Sequence, residues 1–381
     1  MTHYDAIVLG VGGMGSAALY HLARRRLRVL GIERYNIPHE MGSSHGLTRI
    51  IRLAYYEHPS YVPLLRRAYE LWRQLENRVQ ERLLIVTGSV DASPADGEVF
   101  CRSKASCDIH HLPYEILDHH DLNARVPGYR LPAGMMALYQ PDGGFLLAER
   151  CIVAHVIAAQ ECGAEVHGQE RVLEWEAKGR GVEVHTDRGR YSADKLVICA
   201  GAWGSKLVPE LAHLAVPERQ VLGWFQPTRP ALFRPHAFPV FNMAVEEGRY
   251  YGFPIYGIPG VKVGRYHHRE ERVDPDQMDR EPHREDEEVL RRFTARYFPE
   301  AAGPTMSLKT CLFTNTPDGH FVLDLHPTLP QVCIAAGFSG HGFKFCSIVG
   351  EIMADLAQTG RSRHDLELFR LRRFREVSPA S

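Results

Sequence analysis

Lysine is scarce in this chain. Only seven occur, at positions 104, 178, 195, 206, 262, 309 and 344, within a total of 45 lysines and arginines. Nearly all the positive charge is guanidinium, so each retained ammonium invites a specific reason. Neither sign of charge is in excess: 45 basic and 46 acidic side chains leave a formal net charge of −1. Without a positive field there is no electrostatic footprint for nucleic acid or for an anionic membrane surface. No run reaches the roughly 18 consecutive apolar residues of a membrane span. The opening MTHYDAIVLG passes straight into a strand-like segment, with no basic region and long apolar stretch ahead of it, so a cytoplasmic location is expected. The eight cysteines, at 101, 107, 151, 162, 199, 311, 333 and 346, form no CxxC pair, and no Cys/His spacing suits zinc. Most read as buried free thiols, and no metal is expected. There is no internal repeat and no low-complexity tract.

What remains is the composition of a globular enzyme, 44% hydrophobic and 24% charged, over 381 residues, more than one ordinary core requires. Tyr4 to Leu9 (YDAIVL) is the short apolar run of a buried parallel strand. Gly10-Val11-Gly12-Gly13-Met14-Gly15 follows, then a helical pattern over Ser16–Arg25, a second strand over Leu27–Ile32, and Glu33. This is a dinucleotide-binding βαβ unit. Gly10 permits the tight turn, Gly12 admits a pyrophosphate to the backbone, and Gly15 lets helix and strand pack closely. The helix N-terminus offers free N–H groups and a positive dipole end to the phosphates. Glu33 suits ribose hydroxyls and disfavours a 2′-phosphate. The unit alone leaves NAD and FAD both open.

Further strands are expected at Val172–Glu176, Gly181–His185, Lys195–Ala200 and Gln331–Ala336, with helices over Leu147–Cys162 and Phe345–Thr359. The intervening stretches, such as RYYGFPIYGI at 249–258, alternate and are punctuated by turn residues, which suits an antiparallel sheet. The expected fold is therefore α/β with two interleaved domains. Residues 1–85, 145–210 and 310–381 would form a discontinuous Rossmann-like nucleotide domain, and 86–144 and 211–309 a sheet-rich substrate domain. The tail from Val377 to Ser381 is expected to fray.

The next segment, Gly42-Ser43-Ser44-His45-Gly46-Leu47-Thr48-Arg49-Ile50-Ile51-Arg52, is polar and Gly-rich and then mixes Arg with β-branched residues. With Tyr55, Glu57 and Tyr61–Leu64 it resembles the sarcosine oxidase group of FAD-dependent amine oxidoreductases, the monomeric sarcosine oxidase and N-methyltryptophan oxidase family. Three more blocks carry the likeness: Tyr251-Gly252-Phe253-Pro254 with Lys262 beyond it, KTCLFT at 309–314, and GFSGHGFK at 337–344. The likeness runs from residue 4 to about 360.

That resemblance implies FAD rather than NAD. It implies an oxidase that converts a small secondary amino acid, sarcosine or an N-methyl or cyclic relative, to an imine, with O2 reduced to hydrogen peroxide. It further implies cofactor contacts from Gly10, Gly12, Gly13, Met14, Gly15, Glu33, Arg34, Ser43, Ser44, His45, Thr48, Arg49, Ile50, Val172, Ala200, Gly201, Trp203 and Gly340-His341-Gly342-Phe343-Lys344. Cys311 would carry FAD through a thioether to the flavin 8α carbon; composition alone would make it another buried thiol. Lys262, costly between valines in GVKVG unless it has a task, would activate oxygen, and a fixed cation there would stabilise nascent superoxide. Arg49 would tune the flavin. Arg52 and Lys344 would hold the substrate carboxylate, a task that suits the planar fork of Arg. Tyr251 and His267 would line the substrate cavity, with His268 competing for the role because Arg265 reads as an extra residue. Leu47 and Tyr56 depart from the group's pattern near the cavity mouth. The expected partners are the amine and O2, with the protein a monomer. A larger N-methyl or a pipecolate- or proline-type substrate, or a dehydrogenase with another electron acceptor, remains the alternative.

Overall fold

The computed structural model describes residues 2–377, so the expected fraying beyond Val377 lies outside the described residues. The first strand, Thr2–Leu9, sits at the centre of an eight-stranded sheet. It pairs in parallel with Val29–Ile32 on one side and with Arg190–Ile198 on the other. Glu165–His167 extends the sheet in parallel beyond Val29–Ile32, and Val332–Ala336 pairs in parallel with Leu196–Ile198. Burial on both faces explains the unbroken apolar runs IVL, VLGI and VCIAA. An antiparallel hairpin, Val172–Lys178 with Gly181–Thr186, completes one edge.

Helix Gly13–Ala23 crosses between the first two strands and packs against helices Ala148–Glu161 and Cys346–Thr359. It starts three residues before the periodic apolar pattern begins, because the Gly-rich turn itself supplies the first helical turn. All of its residues except Met14 are buried. That burial answers its weak amphipathicity: a helix covered on all sides has no polar face to show.

The second eight-stranded sheet has the order Thr305–Asn315, Val216–Phe225, Val261–Arg265, Gly248–Phe253, Val240–Val245, Ser89–Pro94, Met135–Gln140, Glu115–Asp118. It is antiparallel apart from the pairing of Val240–Val245 with Ser89–Pro94. One face buries Val221, Phe241, Val261 and Val263 together with Leu290 and Phe293 of helix Arg284–Tyr297. Phe293 stacks on Tyr250 with ring centres 3.9 Å apart; each such side chain stabilises the fold by about 1.5–3 kcal/mol through burial alone. The opposite face carries Asn242, Tyr251, Phe253, Lys262 and Cys311, and it faces the nucleotide side of the molecule. A small antiparallel sheet of Thr48–Ile51, Gly144–Leu147 and Leu84–Val86 lies between the two large ones in sequence. Strand Thr305–Asn315 crosses the 309/310 division drawn from the sequence and pairs along its length with the second sheet. Among the described residues no helix is long and apolar enough to cross a membrane.

Candidate active site

A cleft of about 380 Å³ opens where the C-terminal ends of the parallel strands meet the Gly-rich turn. Open α/β sheets bind ligands at that end. The turn is shaped for close approach. Gly10 has φ +85°, and a Cβ on Gly15 would meet the Gly10 carbonyl oxygen at 1.7 Å. Gly12 has open space where a Cβ would be, so its backbone faces the cleft uncovered. Glu33, buried at the end of the second strand, accepts hydrogen bonds from the Val11 amide at 2.8 Å and the Tyr35 amide at 2.9 Å. One carboxylate thus fixes the turn and still has lone pairs for a ribose. These features fit a dinucleotide.

Of the residues expected to hold the cofactor, Gly10, Gly12, Gly13, Met14, Glu33, Arg34, Ser43, Ser44, Arg49, Val172, Ala200, Gly201, Trp203, Gly340, Gly342 and Phe343 line this cleft. Gly15 acts from below by packing. Sequence reasoning missed the far rim, where Lys206 and Arg34 both reach Asp276 at 2.6 Å and Trp203 Nε1 donates to it at 2.9 Å. Asp276 lies in an irregular segment whose position depends on tertiary contacts, and no local pattern announces it.

A second, small cavity of about 40 Å³ adjoins the first, sharing Arg49, Phe313, Gly340 and Phe343 with it. Its other walls are Ile50, Arg52, Asn242, Tyr251, Phe253, Tyr266, Cys311, His341 and Lys344. Cys311 is buried at the junction, with Arg49 Nη2 at 3.6 Å and the Ser43 carbonyl at 3.8 Å.

Arg52 is buried and already engaged. It donates to Glu57 at 3.1 Å and to the Ala54 carbonyl, and its Nε lies 3.6 Å from Asp91. Burial would raise the Glu57 pKa, but Arg52, then His341 and Lys344, draw it down to about 2. Lys344 donates to the His341 carbonyl at 2.8 Å. Burial, only partly opposed by Glu57, pushes its pKa down to about 7. His341 sits beside Tyr55 at 2.6 Å, and burial pushes its pKa to about 3.

Lys262 stands on the same sheet face but behind the cavity walls. Its ammonium donates to the carbonyls of Gly46 and Thr48, at 2.7 and 2.8 Å, and to Thr48 Oγ1 at 3.2 Å, filling its three N–H groups. Burial and then Arg49 push its pKa well below the ordinary lysine value. It lies 4.4 Å from the centre of the Phe253 ring. His45 is also buried behind the wall, with neither ring nitrogen paired; burial, then Arg49 and Lys309, take its pKa to about 3.

One expected cavity residue is misplaced in the sequence reading. Strand Val261–Arg265 runs without a bulge, pairing Phe253 with Lys262, Tyr251 with Gly264 and Tyr250 with Arg265. Arg265 is therefore an ordinary ladder residue and not an insertion. Alternation then puts Tyr266 on the face of Lys262, where it lines the cavity. His267 turns away at φ +51°, exposed, with Nδ1 3.0 Å from Glu218. His268 is buried against Asp286 at 3.1 Å. Neither histidine faces the cavity. Counting in twos from Lys262 is the sequence signal that finds Tyr266.

Residues 5–356 match the family model described as FAD dependent oxidoreductase. The chain belongs to the FAD-dependent oxidoreductase family. Within that family it is 42% identical over 377 residues to the monomeric sarcosine oxidase of Bacillus sp. strain NS-129, covering 98% of this chain and 97% of the relative. It is 35% identical over 379 residues to the N-methyl-L-tryptophan oxidase of Escherichia coli strain K12, covering 97% and 99%. Among solved structures, that of NikD, an unusual amino acid oxidase essential for nikkomycin biosynthesis, superposes with a TM-score of 0.85 at 26% identity, over 97% of this chain and 98% of that one. The chain is thus an FAD-dependent amine oxidoreductase of the sarcosine oxidase group, and the cleft has the features that fit a dinucleotide.

Proposed function

We propose that the protein oxidises a small secondary amino acid, sarcosine or a close N-methyl or cyclic relative, with O2 as the electron acceptor. For an N-methyl substrate, amine, O2 and water give the primary amine, formaldehyde and hydrogen peroxide. The observation that carries this reading is the small cavity at the end of the FAD cleft, with Lys344 and Arg52 in its wall and Cys311 at the junction. FAD supplies the hydride acceptor and the electron route to oxygen.

The chain's own residues bind and orient. Lys344 holds the substrate carboxylate, and Arg52, positioned by Glu57 and Asp91, adds a second cation beside it. The cavity walls exclude water, and their low dielectric favours the neutral amine whose lone pair the reaction needs. Arg49, at the junction of the two cavities, places fixed positive charge beside the FAD site. Lys262, pinned under the Gly46–Thr48 segment, places a second cation behind it, where it favours electron transfer to oxygen. No side chain is assigned as a general base.

Covalent FAD on Cys311 belongs to the same proposal. Its Sγ would bond to the 8α carbon with loss of the thiol proton and one methyl hydrogen, and the two electrons released would pass to O2. So does the division of the chain into a nucleotide half and a substrate half, with strand Thr305–Asn315 carrying Cys311 between them. The reading is tested by peroxide release across a panel of sarcosine, N-methylalanine, proline, pipecolate and N-methyltryptophan. Turnover of the small N-methyl acids supports it; peroxide from none of the panel refutes it.

A further inference from the structure

Arg249 lies on strand Gly248–Phe253, two residues before Tyr251 and four before Phe253. Alternate residues of a strand share a face, so its side chain leaves the sheet on the side that forms the small cavity. Its guanidinium carbon stands 3.6 Å from the centre of the Tyr266 ring and 5.2 Å from that of Tyr56. Tyr266 is a cavity wall. Tyr56 also carries Arg52, at 4.4 Å. Two arginines and two tyrosines thus form one stack along the cavity, each cation over an aromatic face.

The two arginines differ in their partners. The acidic groups here, Glu57 and Asp91, both lie on Arg52. Arg249 makes no side-chain hydrogen bond or ion pair among the described residues, and its Nε is buried without a partner. A guanidinium has five N–H donors and no way to shed its charge. Lys344 likewise has no carboxylate, only the carbonyl of His341. The site therefore holds two cations without a directly paired carboxylate, Glu57 acting on both only from its place on Arg52, and the α-carboxylate of a substrate satisfies one of them. Arg249 is half-buried whereas Tyr266 and Lys344 are buried. It is not itself a wall of the small cavity and borders it through the Tyr266 ring, with part of its side chain still exposed.

We propose that Arg249 is a specificity-determining residue that binds a second carboxylate, so that the enzyme accepts N-methyl derivatives of acidic amino acids in preference to their neutral isosteres. The inference rests on the proposed amine-oxidase reading. The α-carboxylate sits at Lys344 and Arg52, the side chain runs along the Tyr266 ring, and the distal carboxylate meets the open edge of Arg249 in a bidentate pair. Tyr56 and Tyr266 are positioning residues that hold the guanidinium flat and aimed.

The test compares N-methylglutamate with N-methylglutamine, which differ by a carboxylate against an amide of the same shape. In the wild-type holoenzyme kcat/KM for the acid should exceed that for the amide by about tenfold, through KM. The ratio should collapse in Arg249→Met and recover in part in Arg249→Lys. A turnover-free readout uses the change in flavin absorption on titration with glutarate and with butyrate. Glutarate should bind more tightly to the wild type and no more tightly than butyrate to Arg249→Met. Equal treatment of acid and amide by the wild type, or an unchanged ratio in Arg249→Met, overturns the proposal. If wild-type protein oxidises neither compound nor sarcosine, the oxidase reading has failed instead, and the glutarate-to-butyrate preference still decides the role of Arg249.

Discussion

Lys344 would make the proposed carboxylate site sensitive to pH in a range where most lysines are fully charged. Burial takes its pKa down to about 7, with Glu57 opposing. Only the ammonium form attracts a carboxylate, so bound acid raises the pKa again and binding takes up a proton. Affinity must therefore be full below about pH 6 and fall as pH rises through 7. With each pKa unit equal to a factor of ten, the loss between pH 6 and 9 reaches up to about a hundredfold if the neutral amine binds nothing. Other groups at the site leave that window clear: Glu57 and His341 titrate near 2 and 3, and Arg52, held by Asp91 and Glu57 against the cost of burial, stays charged. The assay is titration of the flavin absorption with acetate, which cannot be oxidised and remains ionised throughout. Wild-type Kd should rise with pH, Lys344→Met should bind weakly and without this slope, and Lys344→Arg should keep its affinity at pH 9. A wild-type Kd that is flat from pH 6 to 9, or a Lys344→Met variant with the same slope, would refute the assignment.

Three further outcomes follow from the site as described. Acid precipitation should leave the yellow colour in the pellet of wild-type protein and in the supernatant for Cys311→Ala; colour in the wild-type supernatant would sink covalent attachment. Lys262→Met should lower kcat/KM for oxygen by about 10²–10³, the cost of removing one fixed charge that stabilises developing charge, while anaerobic reduction by substrate changes far less; equal slowing would place Lys262 in some other role. Gly15→Ala brings a methyl group to 1.7 Å from the Gly10 carbonyl, so helix and strand must separate and the phosphate turn must open. The flavin-to-protein absorbance ratio of the purified variant should drop sharply, and a ratio equal to that of the wild type would show that the turn tolerates the shift.

The parts of the molecule legible in the sequence are those whose cause is local. The glycine turn, the buried strands around it and the acid at Glu33 follow from steric freedom, apolar runs and one carboxylate, all within a single βαβ unit. The strand order of the second sheet was not legible, because Cys311 and Lys262 come together only through pairings with Val216–Phe225, which lies far from both in the chain. The engagement of Arg52 was hidden for the same reason: Asp91 reaches it from a separate strand. The case of His267 is different, since its correct reading was available. Likeness to a family transfers residue types along an alignment, and an apparent extra residue at Arg265 invites a shift by one. A strand allows no such shift without exchanging its faces. Once Lys262 is taken to face the site, Gly264 and Tyr266 must follow it there, and Arg265 and His267 must not. The same rule, run from Tyr251 to Arg249, puts that guanidinium on the cavity side of its strand, where its contacts with Tyr56 and Tyr266 and its lack of a paired carboxylate mark it out.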